Sequence, residues 1–262
     1  MREKKNVPFY GRISDFVPSI SLDCVVFGYQ NGALHILLLK FKKTDSWALP
    51  GGFLPKEVEM QEAVSGILFE RTGISDIFLT QYHTFSSTRR GWQDNESDKE
   101  SFDKVKTMWP EEHKEKLISW FDQRFISTAF MALVDASIVK LEPDEFSDDC
   151  RWIPLNELPS LVLDHRAMIE EAKKHLKQRI NFLPIGRSLL PERFTMADLQ
   201  ALYEAILEQK MDRGNFQRKI MKLGILNRHE KLMTGASNKA PYLYSINDEV
   251  YDRLVNEGIG FS

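Results

Sequence analysis

The stretch Leu49–Ile74, LPGGFLPKEVEMQEAVSGILFERTGI, decides how the first part of the chain is read. A Leu-Pro-Gly-Gly-Phe lead-in opens a segment framed by Gly52 and Gly73 that carries Glu57, Glu59, Glu62 and Glu70. Working outward, Ser21–Tyr29 (SLDCVVFGY) and Ala33–Lys40 (ALHILLLK) are two runs of β-formers around Gln30-Asn31-Gly32. Apolar runs flanking Asn-Gly predict a β-hairpin. Further strands are predicted at Ile77–Tyr82 and Phe125–Val134. Asp164–Ile180 predicts a helix, with Asp164 as cap and Met168, Ile169, Ala172 and Leu176 at helical spacing. Strands mixed with helices at irregular spacing predict an α+β fold.

The chain has 262 residues, a length that suits two domains. With 42% hydrophobic and 28% charged residues, disorder of the whole chain is excluded. Thirty-five basic residues against 38 acidic ones leave a net charge of −3, which excludes a polybasic coat but not a local basic patch. Cys24 and Cys150 are too few for a disulfide scaffold and lack metal spacing. They read as reduced thiols of a cytoplasmic protein. No apolar run approaches the roughly 18 residues of a membrane helix, so no membrane partner is expected. The basic N-terminus has no apolar core behind it and is not expected to be a signal peptide.

Asn181–Phe194 contains Pro184, Gly186 and Pro191 and reads as a connector. The expected domains are therefore 1–183 and 184–262. Within the first, Arg90–Gln123 is polar, dense in both charges, and contains Trp92, Trp109 and Trp120. It reads as a long insertion whose Glu111–Phe121 part is a short amphipathic helix with Leu117, Trp120 and Phe121 inward. Two readings stay open: a surface excursion pinned by tryptophans, or a lid or dimer contact.

The opening stretch resembles the Nudix box, G-x5-E-x7-R-E-U-x-E-E-x-G-U with U aliphatic, over 26 residues without a gap. Gly52, Leu68, Gly73 and Ile74 fit it. The resemblance implies a Nudix-type mixed β-sheet/α sandwich. In a working box, helical carboxylates at i, i+3 and i+4 share a face. They hold divalent cations against a pyrophosphate that water attacks. Here Val58 stands at the first glutamate position, Gly66 at the arginine, and Ile67, Glu70 and Arg71 at the three helical carboxylates. One carboxylate of four survives. Outer-shell losses alone typically cost about 10–100-fold, so losing three ligands predicts no working catalytic residue, no metal and no cofactor. Of the neighbouring Glu57, Glu59 and Glu62, the last is expected to point away from Glu70, so rescue is not expected. A pocket kept for binding follows. Its mouth is expected at His83–Arg90 (HTFSSTRR) and Arg124. Arg89, Arg90 and Arg124 are candidates for pairing with a phosphate, a carboxylate or sugar hydroxyls, the alternative being solvated loop charges. Glu70 is a further effector-binding candidate, the alternative being a fold residue that hydrogen-bonds the Gly51-Gly52 loop.

In the second domain Thr195-Met-Ala-Asp198 has the form of a helix-start box. Leu199, Leu202 and Ile206 then give one apolar face to a helix ending near Gln209. Asp212 is a cap for a second helix, Arg213–Leu223, with Phe216, Ile220 and Leu223 inward and Gly224 as its stop. Ile225–Arg228, a polar loop with Gly235, and Tyr242–Ile246 predict strand, wing and strand. Helix–turn–helix followed by a β-hairpin is a winged helix. Between Lys210 and Lys239 eight basic residues face two acidic ones, a net +6 in a chain of net −3. Such confined charge points to DNA phosphates. Arg213, Asn215, Gln217 and Arg218 are candidates for reading base edges. Lys219, Lys222, Arg228, Lys231 and Lys239 suit the phosphate backbone.

Ser188–Leu207 (SLLPERFTMADLQALYEAIL) and Met211–Ile220 (MDRGNFQRKI) resemble the C-terminal domain of the Nudix-related, NrtR-like transcriptional regulators. That resemblance implies a homodimeric bacterial regulator of NAD metabolism or sugar catabolism that binds double-stranded operator DNA. It also implies a repressor whose small-molecule effector (ADP-ribose, a sugar or a sugar phosphate) releases the DNA. The alternative is a Nudix hydrolase acting on a nucleoside diphosphate derivative such as ADP-ribose.

Overall fold

Asn31 and Gly32 both take positive φ, 52° and 78°, as a tight two-residue hairpin turn requires. They join β1 (Phe16–Gln30) to β2 (Ala33–Phe41), the predicted hairpin. The computed structural model describes residues 9–75, 77–88, 90, 96–137, 139–144, 146–180, 189–232 and 240–257. After β2 come β3 (Trp47–Ala48), β4 (Gly51–Pro55), α1 (Met60–Thr72), β5 (Thr80–Phe85), α2 (Glu96–Lys106) and α3 (Glu111–Phe121). Then follow β6 (Ile126–Asp135), β7 (Ser147–Pro154) and α4 (His165–Ile180). One sheet runs β3-β2-β1-β6-β5, with β4 paired to β1 and β7 to β2. β4 lies antiparallel to β1 in the register Leu22↔Gly52 and Asp23↔Gly51.

The core explains the sequence pattern. Consecutive residues of β1 and β2, Leu22 to Phe27 and Leu34 to Leu39, are buried, so both faces of these strands are covered. α4 buries Met168, Ile169, Ala172 and Leu176 as its spacing requires. The Tyr82 hydroxyl donates to the Met168 carbonyl at 2.9 Å and ties β5 to α4. Gly73, at φ 78°, ends α1 and returns its N–H to the Phe69 carbonyl at 2.8 Å.

Three elements depart from expectation. β5 starts at Thr80 and not at Ile77: Phe78 is 83% exposed and only Leu79 turns inward, so the apolar run is loop. β7 (SDDCRWIP) is too polar to announce itself. α2 lies inside the insertion with a single buried apolar side chain, Phe102; Glu96–Lys99 and Glu100–Lys104 pairs support its exposed face. In α3, Leu117 and Trp120 are buried and Phe121 is half-buried.

The second fold unit follows its prediction closely. α5 (Met196–Leu207) starts at a full capping box: the Asp198 N–H donates to Thr195 Oγ1 at 3.2 Å, and the Thr195 N–H to Asp198 Oδ2 at 2.8 Å. α6 (Arg213–Lys222) is capped by Asp212, whose Oδ1 accepts the Asn215 N–H at 2.8 Å. Gly224 takes φ 69°. β8 (Phe194–Thr195), β9 (Leu226–Lys231) and β10 (Tyr242–Ile246) form a three-stranded sheet in the order β8-β10-β9. α7 (Asp248–Glu257) follows. Leu199, Leu202, Ile206, Phe216 and Ile220 are buried; Leu223 is half-buried.

The chain packs as two compact units. One comprises 1–27, 35–132 and 139–172; the other comprises 28–34, 133–138 and 173–262. Of the expected connector, 181–194, residues 181–188 lie outside the described residues, and Leu189 and Leu190 are buried. Among the described residues, no helix is long and apolar enough to cross a membrane.

Candidate DNA-binding and effector sites

A cavity of about 510 Å³ opens beside β4 and α1. The register of β4 on β1 fixes its floor. A Cβ on Gly51 would lie 2.2 Å from Asp23 Oδ1, so glycine alone lets β4 close on that carboxylate. Asp23 stands in the middle of an apolar strand and is buried. It accepts from Arg90 Nη2 at 3.1 Å and from the Ser127 hydroxyl. Arg90, only 6% exposed, also donates to Asp164 Oδ1 at 2.8 Å and to the Ser21 hydroxyl at 3.3 Å. His165 accepts the Leu49 N–H on Nδ1 at 3.0 Å, which leaves the proton on Nε2, 3.7 Å from Asp23 Oδ1. Burial lowers the pKa of this imidazole from its ordinary value, outweighing the opposite pull of Asp23.

The box supplies one wall, with Gly52, Val58, Ile67, Glu70 and Arg71. The insertion supplies another: Phe102, Val105, Met108, Trp109 and Phe121 line the same cavity. Trp109 stacks on Phe121 with centroids 5.4 Å apart and planes 18° from parallel, and Phe102 meets Trp109 edge-on at 5.6 Å. The insertion is thus a built side of the pocket.

The donors of this wall do not fit a divalent ion. Val58 and Ile67 offer only hydrocarbon. Arg71 Nε donates to the Gly51 carbonyl at 3.0 Å, and its guanidinium pairs with Asp144 beside the Phe146 ring. A cation is therefore already fixed at the glycine loop, in the role expected of Glu70. The Glu70 side chain has no hydrogen bond or ion pair among the described residues. Glu62, expected to point away, lines the cavity together with Glu70. Eight helical residues advance about 80° around the axis, so the two can share a side.

The other effector candidates fall elsewhere. Arg124 is not part of the cavity lining; it donates to the Ser86 carbonyl at 2.6 Å. His83 is exposed on β5, its ring 4.6 Å from that of Phe85. Arg89 lies outside the described residues. Sequence reasoning missed Asp23, Asp144, Asp164 and His165 as site residues. Only Asp23 left a signal: a charged residue inside an apolar strand requires a buried partner.

The winged helix leaves most of its candidates in solvent. Arg213, Asn215, Gln217, Arg218, Lys219 and Lys222 are all exposed on α6, while Phe216 and Ile220 face the core. Arg218 hydrogen-bonds Asn215 one turn before it. Arg228 and Lys231 are exposed on β9, and both stand over the Tyr242 ring of β10, at 4.7 and 5.3 Å from its centroid. Lys239 lies outside the described residues.

Comparison with known proteins follows this division. Residues 186–246 match the model of the NrtR DNA-binding winged helix domain. An ADPR-responsive transcriptional repressor of Acinetobacter baylyi is 22% identical over 242 residues, covering 88% of this chain and 84% of its own length. The crystal structure of Shewanella oneidensis NrtR complexed with a 27mer DNA matches with a TM-score of 0.62 at 20% identity, covering 89% of this chain and 95% of that one. A MutT/nudix family protein from Enterococcus faecalis matches with a TM-score of 0.60 at 18% identity, over 93% of this chain and 90% of its own. The fold is α+β, of Nudix type, with a C-terminal winged helix.

Proposed function

We propose that this NrtR-like chain is an effector-responsive transcriptional repressor: a homodimer that binds operator DNA through its winged helix and senses a metabolite in its Nudix-type domain. The observation that carries the reading is the face of α6. Six polar or basic side chains stand exposed on a helix whose opposite face is buried and whose N-terminus is capped. That is the form of a recognition helix, with Arg213, Asn215, Gln217 and Arg218 toward base edges and Lys219 and Lys222 toward phosphates. The name of the A. baylyi relative and the fold shared with the DNA-bound S. oneidensis NrtR support it. The test is a titration on a duplex selected from a random pool and on unselected duplex. Asn215→Ala or Arg218→Ala is expected to cost about 1–3 kcal/mol on the selected site and to relax its preference at particular base pairs. Equal losses on both duplexes would remove α6 from base reading. No loss from any α6 or wing substitution would end the regulator reading.

The second reading, a hydrolase, has one observation in its favour: Glu62 and Glu70 share the cavity. Against it stand Val58, Ile67 and the Arg71 guanidinium at Gly51. The pure chain with Mg²⁺ or Mn²⁺ is expected to leave ADP-ribose intact. Turnover that disappears in Glu70→Gln would establish the enzyme instead.

A further inference from the structure

We infer that the cavity of the Nudix-type domain takes an uncharged, hydroxyl-bearing ring compound with no phosphate, the shared chemistry of a free sugar and a nucleoside. This rests on the reading of that cavity as the effector site and names its ligand class. Among the described residues three arginines and no lysine line the cavity, and every one of the three already faces a carboxylate. Arg12 Nε is 3.5 Å from Asp15, Arg71 pairs with Asp144, and Arg90 is held between Asp23 and Asp164. A phosphate is recognised by guanidinium groups free to bind it in a fork. Here it would have to displace carboxylates from buried or half-buried partners, and breaking a buried pair is costly. The lining charges without an ion-pair partner among the described residues are negative: Glu62 and Glu70, which accept hydrogen bonds and repel a phosphate. In the same cavity the insertion contributes the Trp109–Phe121 stack and Phe102, apolar rings suited to the C–H face of a sugar or the plane of a base. Apolar walls with a few orienting acceptors are the usual make-up of a site for a small neutral ligand.

The experiment uses the full chain in thermal-shift and calorimetric titrations. One arm holds free pentoses and hexoses, a second adenosine, and a third ribose 5-phosphate, AMP and ADP-ribose. At least one member of the first two arms is expected to raise Tm, and its phosphorylated counterpart to bind at least about tenfold more weakly. The arm that responds separates sugar from nucleoside. Glu70→Gln, at a side chain that pairs with no other described residue, should weaken the phosphate-free compound. Asp144→Asn, which leaves Arg71 unneutralised, should strengthen the phosphorylated one. Tighter binding of the phosphorylated arm by the unaltered chain, or no response to either phosphate-free arm, overturns the inference. DNA release is read separately. A phosphate-free ligand that binds and leaves DNA bound sinks the effector reading and spares the ligand class. An ADP-ribose that binds and releases DNA does the reverse.

Discussion

Asp23 and His165 hold the floor of the cavity together from opposite ends of the Nudix-type domain. Their contacts are long-range, 67 residues from Asp23 to Arg90 and 116 from His165 to Leu49. No local pattern in the sequence can announce such partners, although the charge inside an apolar strand shows that some partner must exist. The Nudix box is legible because its spacing is local, and its missing carboxylates are legible with it. What Arg71 does instead is only half legible: its charge is in the sequence, but its bond to Gly51 is a product of the fold. His165 gives a pH prediction. Its folded pKa lies below the unfolded one because burial disfavours the cation. The unfolded chain therefore binds the extra proton first, and stability rises with pH. The contribution is complete above the ordinary histidine pKa of about 6.5 and is lost as pH falls below it. Scanning calorimetry from about pH 7.5 down to about pH 5.5, a window that brackets this value, should show the domain's Tm falling. In His165→Gln, which keeps an acceptor for the Leu49 N–H, the fall should be shallower. Parallel slopes for the two proteins would show that His165 is not the group responsible.

Elements differ in how plainly the sequence declares them. α5 and α6 carry caps, apolar stripes and a glycine stop within a few residues of one another, and each signal agrees with the next. α2 carries none of these; its partners Trp109 and Phe121 lie outside it, so its packing is decided by the insertion as a whole. The two strands of the wing are legible, but the ring that shapes its charged face is not. Tyr242 lies beneath Arg228 and Lys231, and this placement holds two cations on one side of the β9–β10 hairpin. Tyr242→Leu keeps both charges and removes their platform. It should weaken selected and unselected DNA alike while leaving the salt slope nearly unchanged. Lys231→Ala should instead make the slope shallower by about 0.9, the value of one phosphate that is no longer neutralised. Gel-shift or anisotropy titrations at several salt concentrations distinguish the two, and a Tyr242→Leu protein of unaltered affinity would remove the platform role. At the start of α6, Asp212→Ala removes an N-cap and should cost about 1 kcal/mol of winged-helix stability in urea unfolding.

At the scale of the molecule an expectation of two domains is readable, because composition and two kinds of motif change along the chain. The division into compact units is not: it assigns the hairpin tip 28–34 and the segment 133–138 to the unit containing 173–262. A strand's far end keeps no mark in its sequence of what it will pack on. The net charge of −3 likewise conceals a basic segment, since 210–239 carries +6 and the remainder of the chain sums to −9. That contrast bears on assembly. One winged helix presents one α6 to one major groove and covers one half-site. Two-fold symmetric operators place half-sites about 34–36 Å apart, one helical turn, and so require a second α6 held at a fixed distance. An acidic remainder of the chain gains nothing from DNA phosphates, which leaves protein–protein contact to set that distance. The chain is therefore expected to be a dimer of twice 30.4 kDa before it meets DNA, and to bind its selected duplex as two protomers. Light scattering at micromolar concentration, with and without duplex, measures both. A particle of 30.4 kDa that stays single on a duplex carrying two half-sites would show that each winged helix acts alone, and the homodimer would have to be abandoned.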